Sequence, residues 1–152
     1  MTETNYSDIA KLTWGNIPEP KLLPDGSWLL RAQMAKYMPA RDEDGNPQVL
    51  FVYGAKEPMS DVRAEDLDAL GSNYDLGANR IFVRFYVSNA AEWDNVRKHL
   101  AKHGVEAEGP IVDTLKKVRG TEVVGYLTTR SFVDGSGNQR SENTAGQFEA
   151  VS

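Results

Sequence analysis

From Arg80 to Val87 the chain reads Arg-Ile-Phe-Val-Arg-Phe-Tyr-Val, with the period of two that an extended strand imposes. Ile81, Val83, Phe85 and Val87 fall on one side as a core face, while Arg80, Phe82, Arg84 and Tyr86 fall on the other. The same alternation predicts a first strand over Ser27–Met38, with Trp28, Leu30, Ala32 and Met34 opposed to Leu29, Arg31, Gln33 and Tyr37 and with Pro39 as its end. The run from Arg41 to Pro47 is a turn by composition, and Gln48–Tyr53 is a second strand in which Leu50 and Val52 oppose Val49, Phe51 and Tyr53. Thr121–Val133 and Asn143–Val151, on either side of the Gly-rich turn Asp134–Asn138, supply the fourth and fifth strands.

The period changes to that of a helix in two places. Asn89 followed by Glu92 has the spacing of a capping box; Trp93, Val96 and Leu100 then share one face, and Gly104 stops the helix. Between strands two and three, residues 58–78 form an acidic insertion containing a short helix near Ser60–Leu70, whose thin apolar side (Val62, Leu67, Leu70) predicts loose packing. Residues 1–26, with Pro18, Pro20 and Pro24 and no sustained period, read as an extended arm.

Three strands, a helix and two more strands is the order of an oligonucleotide-binding (OB) barrel. The expected fold is therefore mainly β (α+β): a five-stranded Greek-key barrel over residues 27–152, with one capped helix between strands three and four and a short helical insertion. Gly54 and Gly125 fall where such a barrel bends. A β-sandwich would carry more strands and no central capped helix.

Composition narrows the class. A chain of 152 residues is one domain's worth and buries a core without staples. It has no cysteine, which excludes a disulfide framework, thiolate zinc sites and a cysteine nucleophile, and suits a reducing cytoplasm. No apolar run approaches the ~20 residues of a membrane span, and the first residues lack the basic and apolar regions of a signal peptide, so a soluble cytoplasmic protein is expected. The net charge of −5 argues against a surface that coats duplex DNA, but the acidity is uneven. Residues 1–75 hold 7 basic and 13 acidic side chains, and residues 76–152 hold 10 and 9. A local basic strip still attracts phosphate within a Debye length of about 8 Å.

No catalytic constellation emerges. His99 and His103 lie four apart on one helix face, but without the Glu of a zincin motif or a third ligand they read as a solvated face. Asp42, Asp44 and Asn46 lack the downstream Glu of a calcium loop, and Gly135-Ser136-Gly137 lacks the preceding glycine of a nucleophile elbow. No Gly-rich phosphate loop with a following Lys occurs. The chain is accordingly expected to be no enzyme, with no cofactor and no metal.

The outward face of the third strand alternates guanidinium with aromatic ring, the pairing used by surfaces that stack bases and track the backbone of single-stranded nucleic acid. In that reading Arg31, Arg80, Arg84 and Arg130 meet phosphates, Tyr37, Phe51, Tyr53, Phe82 and Tyr86 supply stacking platforms, and the basic cluster Lys116, Lys117 and Arg119 adds charge. The competing reading is a protein interface, since Tyr, Phe and Arg are also what interface cores favour. Salt separates the two: phosphate binding weakens steeply as salt rises and an apolar interface does not.

Several short motifs carry a resemblance. Pro24-Asp25-Gly26-Ser27-Trp28, Phe51-Val52-Tyr53-Gly54, Arg80-Ile81-Phe82, His103-Gly104-Val105 and Arg119-Gly120-Thr121-Glu122-Val123, spread over residues 22–150, resemble a domain-of-unknown-function group of small phage-encoded proteins. The resemblance implies a single-stranded DNA-binding accessory protein of phage replication or recombination, with replication or recombination proteins as partners and the host cytoplasm as its place. The acidic insertion and the absence of an acidic carboxyl-terminal tip are departures from such proteins. A phage structural or assembly component is the alternative, and the sequence leaves the oligomeric state open.

Overall fold

The computed structural model describes residues 21–40, 45–71 and 74–151; most of the expected arm and the acidic part of the turn after Pro39 lie outside them. The fold is mainly β. The strands are β1 (Gly26–Met38), β2 (Gln48–Pro58), β3 (Ile81–Tyr86), β4 (Glu122–Val133) and β5 (Gln139–Ala150), and the helices are α1 (Ala64–Asp68), α2 (Ala90–Lys102) and α3 (Ile111–Lys116). All five strands form one antiparallel sheet in the order β3-β2-β1-β4-β5. No helix among the described residues is long and apolar enough to cross a membrane.

β3 and β5 are the two edges of the sheet, and no hydrogen-bonded ladder joins them among the described residues. They nevertheless approach each other, and α2 packs on both. The helix is capped as its sequence requires: Glu92 N–H donates to Asn89 Oδ1 at 2.9 Å, and Ser88 N–H donates to Glu92 Oε1 at 2.9 Å. Gly104, at φ +76°, takes the left-handed turn that ends it. α3 was not expected from the sequence; six residues are too few for a clear helical period. It packs on β1 and brings Leu115 and Val118 into the core.

The core lies between the concave side of the sheet and these two helices. Trp28, Leu30, Val49, Phe51, Tyr53, Ile81, Val123 and Leu127 are all fully buried there, together with Val96 and Leu100 of α2. The chain enters this core at Leu23, whose backbone is held by the buried Asn143 side chain. Leu23 N–H donates to Asn143 Oδ1 at 2.9 Å, and Asn143 Nδ2 donates back to Leu23 C=O at 2.9 Å.

Two expectations need correction. The alternation in β1 does not run its whole length, because Gln33 is an extra residue opposite β2: Ala32 pairs with Tyr53 and Met34 with Val52. Such a bulge inverts the faces beyond it. Met34 turns to the outer side, while Ala35 and Tyr37, paired with the buried Phe51 and Val49, take the helix side of the sheet, where Tyr37 at the end of the strand stays 40 % exposed. The acidic insertion is also more firmly seated than its sequence implies. Asp61 accepts from Ser27 N–H at 2.9 Å and from Ser27 Oγ at 2.8 Å, Val62 and Leu70 are buried, and the Tyr74 hydroxyl donates to Lys21 C=O. A few anchors at its two ends compensate for the narrow apolar stripe, and α1 itself buries no residue.

A candidate nucleic-acid interface

Cross-strand register assembles the outer face of β1, β2 and β3 row by row. Met34, Val52 and Phe82 form one row; Lys36, Leu50 and Arg84 the next; Met38, Gln48 and Tyr86 the third. Phe82 is 40 % exposed and Tyr86 54 %, high values for rings on a paired strand. The reason is local: Ile81, Val83 and Phe85 take the core side of β3, so the side chains between them project to solvent. The Arg84 guanidinium carbon lies 5.9 Å from the Phe82 ring centroid, within cation–π range. Arg80 is exposed immediately before the strand. Cations and open rings thus share one surface.

Arg31 lies on this face further along β1, opposite Gly54 on one side and Glu122 on the other. Glu122 holds two cations at once, Arg31 at 3.7 Å and Lys56 at 3.3 Å. Lys116, Lys117 and Arg119 are exposed at the end of α3, where Gly120 N–H donates to Ala32 C=O at 2.8 Å and fixes the cluster beside the bulged part of β1.

Three expected platforms do not belong to the face. Phe51 and Tyr53 are fully buried: β2 presents Val49, Phe51, Tyr53 and Ala55 to the core, and the residues of opposite parity are Leu50, half-buried, and Val52, itself only 3 % exposed between Met34 and Phe82 in its row. Tyr37, redirected by the bulge, lies on the helix side of the sheet, its ring 6.1 Å from that of Trp93. Arg130 is on the β4–β5 ribbon, paired with Glu142 at 2.9 Å and placed over the Phe132 ring. Glu122 is opposite Arg31 and Arg130 lies eight positions further along β4, so about eleven strand positions separate it from Met34, roughly 36 Å measured along the strands. Met34 and Lys36 take the vacated places. The sequence carries a sign of this, because Arg31, Gln33 and Lys36 cannot share one face under strict alternation.

The histidines overturn the reading of a solvated helix face. His99 is 3 % and His103 7 % exposed, and both face the core under the seam between β3 and β5. The helical stripe Trp93, Val96, Leu100 simply continues through them. The Tyr53 hydroxyl lies 2.6 Å from His99 Nε2 and 2.8 Å from His103 Nε2, while His103 Nδ1 lies 2.8 Å from His99 C=O. A carbonyl only accepts, so His103 Nδ1 carries a proton and its Nε2 accepts from the Tyr53 O–H; His99 Nε2–H then donates to the Tyr53 oxygen. The network closes with both imidazoles neutral. Burial pushes the His99 pKa down to about 3, with the neighbouring His103 and Lys102 acting in the same direction, and burial also lowers that of His103. Burial raises the Tyr53 hydroxyl far above its ordinary value. Rings of Phe51, Phe85 and Phe148 close around His99. With two histidines and a phenol, this is a structural polar core; no group of three or more His, Cys, Asp or Glu arranged to hold a metal occurs among the described residues.

Compared with known proteins, the chain matches no family model and no curated sequence, so a functional reading of this molecule rests on the chemistry of the β1–β2–β3 face.

Proposed function

We propose that the chain is a non-enzymatic single-stranded DNA-binding module whose strand-binding surface is the outer face of β1, β2 and β3. The observation that carries this reading is the pair of open rings on β3, Phe82 and Tyr86, separated by Arg84, with Met34 and Lys36 in the same rows across β2. Stacking of bases on such rings is blind to base identity, and neighbouring cations meet the phosphates. Duplex DNA presents no free base faces and binds less well.

The strand order supports an OB-like barrel as the scaffold. Rolled so that β3 meets β5, the order β3-β2-β1-β4-β5 is that of an OB barrel, whose second and third strands face the ligand. A role in phage-type replication or recombination follows from the family resemblance.

The test is fluorescence anisotropy of a labelled oligonucleotide, single-stranded and duplex, at two salt concentrations. The single strand binds more tightly, and its affinity falls steeply with salt. Absence of binding at low salt transfers the face to a protein interface, as in an assembly component.

A further inference from the structure

The outer face has a depression at the end nearest Arg31, and its construction is specific. Gly54 forms the floor. A Cβ there would lie 2.8 Å from Gln33 Nε2 and 3.5 Å from Gly77 Cα, so the Gln33 carboxamide lies directly over the glycine, an approach that a side chain at position 54 would push away. The two residues flanking it are both bulges: Gln33 is the extra residue of β1, and Lys56 the extra residue of β2, between the pairs Leu29–Glu57 and Leu30–Ala55. Bulges re-aim side chains, and two of them lie beside the one glycine at the floor of this recess. Tyr74, Asp75, Leu76 and Gly77 form its far wall, and the volume is about 440 Å³.

Its charges balance. Arg31 and Lys56 are both engaged by Glu122, and the Asp75 carboxylate accepts from Gly77 N–H at 3.1 Å. Two cations against two carboxylates make a weak phosphate site. What remains is a neutral recess with an aromatic ring, Tyr74, at its wall and a carboxamide, Gln33, across its floor. A carboxamide presents a donor and an acceptor side by side, the complement of a base edge.

We infer that this recess receives one nucleobase of the bound single strand and reads its edge through Gln33, giving the module a base preference at a single position. The inference rests on the strand-binding reading above. Gly54 lies two positions along β2 from Val52, which pairs with Phe82, so the recess opens about 7 Å from the stacking row, within reach of the same strand. Phe82 and Tyr86 then supply affinity without discrimination, and Gln33 supplies discrimination with little affinity.

The experiment compares labelled oligo-dT, oligo-dC and oligo-dA of equal length with the full chain, with Gln33→Ala, with Gly54→Ala and with Tyr86→Ala. Gly54→Ala requires only the flexible end of Gln33 to shift, and thermal melting verifies that each variant is folded. The wild type is expected to separate its best and worst oligonucleotides by about fivefold or more, the scale of one good side-chain-to-base pair. Gln33→Ala and Gly54→Ala bring that ratio to near one, while Tyr86→Ala weakens all three alike and leaves the ratio intact. A wild type without preference, or a ratio unchanged in folded Gln33→Ala, overturns the recess while Tyr86→Ala still reports on the face. Failure of every protein to bind overturns the face, and the recess with it.

Discussion

The Tyr53 hydroxyl joins His99 and His103 at once, 2.6 Å from one Nε2 and 2.8 Å from the other, and so ties β2 to successive turns of α2 inside the core. The arrangement is satisfied only when both imidazoles are neutral. A proton added at His103 Nε2 turns that acceptor into a donor facing the tyrosine, and a proton on His99 places a cation among phenyl rings.

Stability should therefore depend on pH in a defined direction. Both histidine pKa values are lower in the folded protein than the ordinary value near 6.5, so the unfolded chain binds more protons below that pH. The contribution is fully present above about pH 6.5 and is lost as pH falls toward the folded values, by up to about 1.4 kcal/mol per histidine per pH unit. Urea unfolding between pH 7 and pH 5, above the range where carboxylates titrate, is expected to show a falling midpoint. A flat midpoint over that window refutes a neutral buried pair.

Tyr53→Phe keeps the ring and removes the only group that satisfies both Nε2 atoms. Leaving two buried imidazole nitrogens unpaired should destabilise the protein by about 2–4 kcal/mol, measured by chemical denaturation at pH 7.5. A loss under about 0.5 kcal/mol would mean that water replaces the hydroxyl.

Asn143→Ala removes both hydrogen bonds to Leu23 and the acceptor of Asn79 Nδ2, which lies at 2.8 Å. The orphaned Leu23 amide and carbonyl should cost about 2–4 kcal/mol and loosen the entry of the chain. Hydrogen exchange at the Leu23 amide reads this directly: its protection falls while that of the β2 amides persists.

On the outer face, Tyr86→Ala should weaken single-strand binding by about 1–3 kcal/mol with the salt dependence unchanged, because stacking releases no counterions. Arg84→Ala should lower the slope of log affinity against log salt by close to one unit, the share of one phosphate contact. Salt titrations of the two variants by anisotropy separate stacking from charge, and identical behaviour of both with wild type would count against the face.

Much of this architecture is legible in the residue pattern, for reasons that also explain the failures. The alternation of β3 places Phe82, Arg84 and Tyr86 outward because a short regular strand has one parity throughout. Met34 and Tyr37 exchange sides because parity holds only up to a bulge, and Gln33 has no side-chain chemistry that announces one. Phe51 and Tyr53 look like stacking platforms when only their ring chemistry is considered; the parity of β2, counted against Val49, places them inside. By polarity alone the two histidines read as solvated, whereas their spacing from Val96 and Leu100 puts them on the buried stripe. Their solvation is replaced by a tyrosine 46 residues away from His99, a partner that no local pattern reveals.

The seam under α2 has a consequence for self-association. An open sheet carries two edges, each with unpaired backbone groups able to template a strand of another molecule. Here both edges, β3 and β5, converge beneath a single helix, so one docked element guards the two sites together. The protection is economical and also shared: a change that lifts α2, whether acid at the histidines or loss of the Tyr53 hydroxyl, uncovers both edges in one step, and a chain with two sticky edges can extend into a filament where a chain with one can only pair.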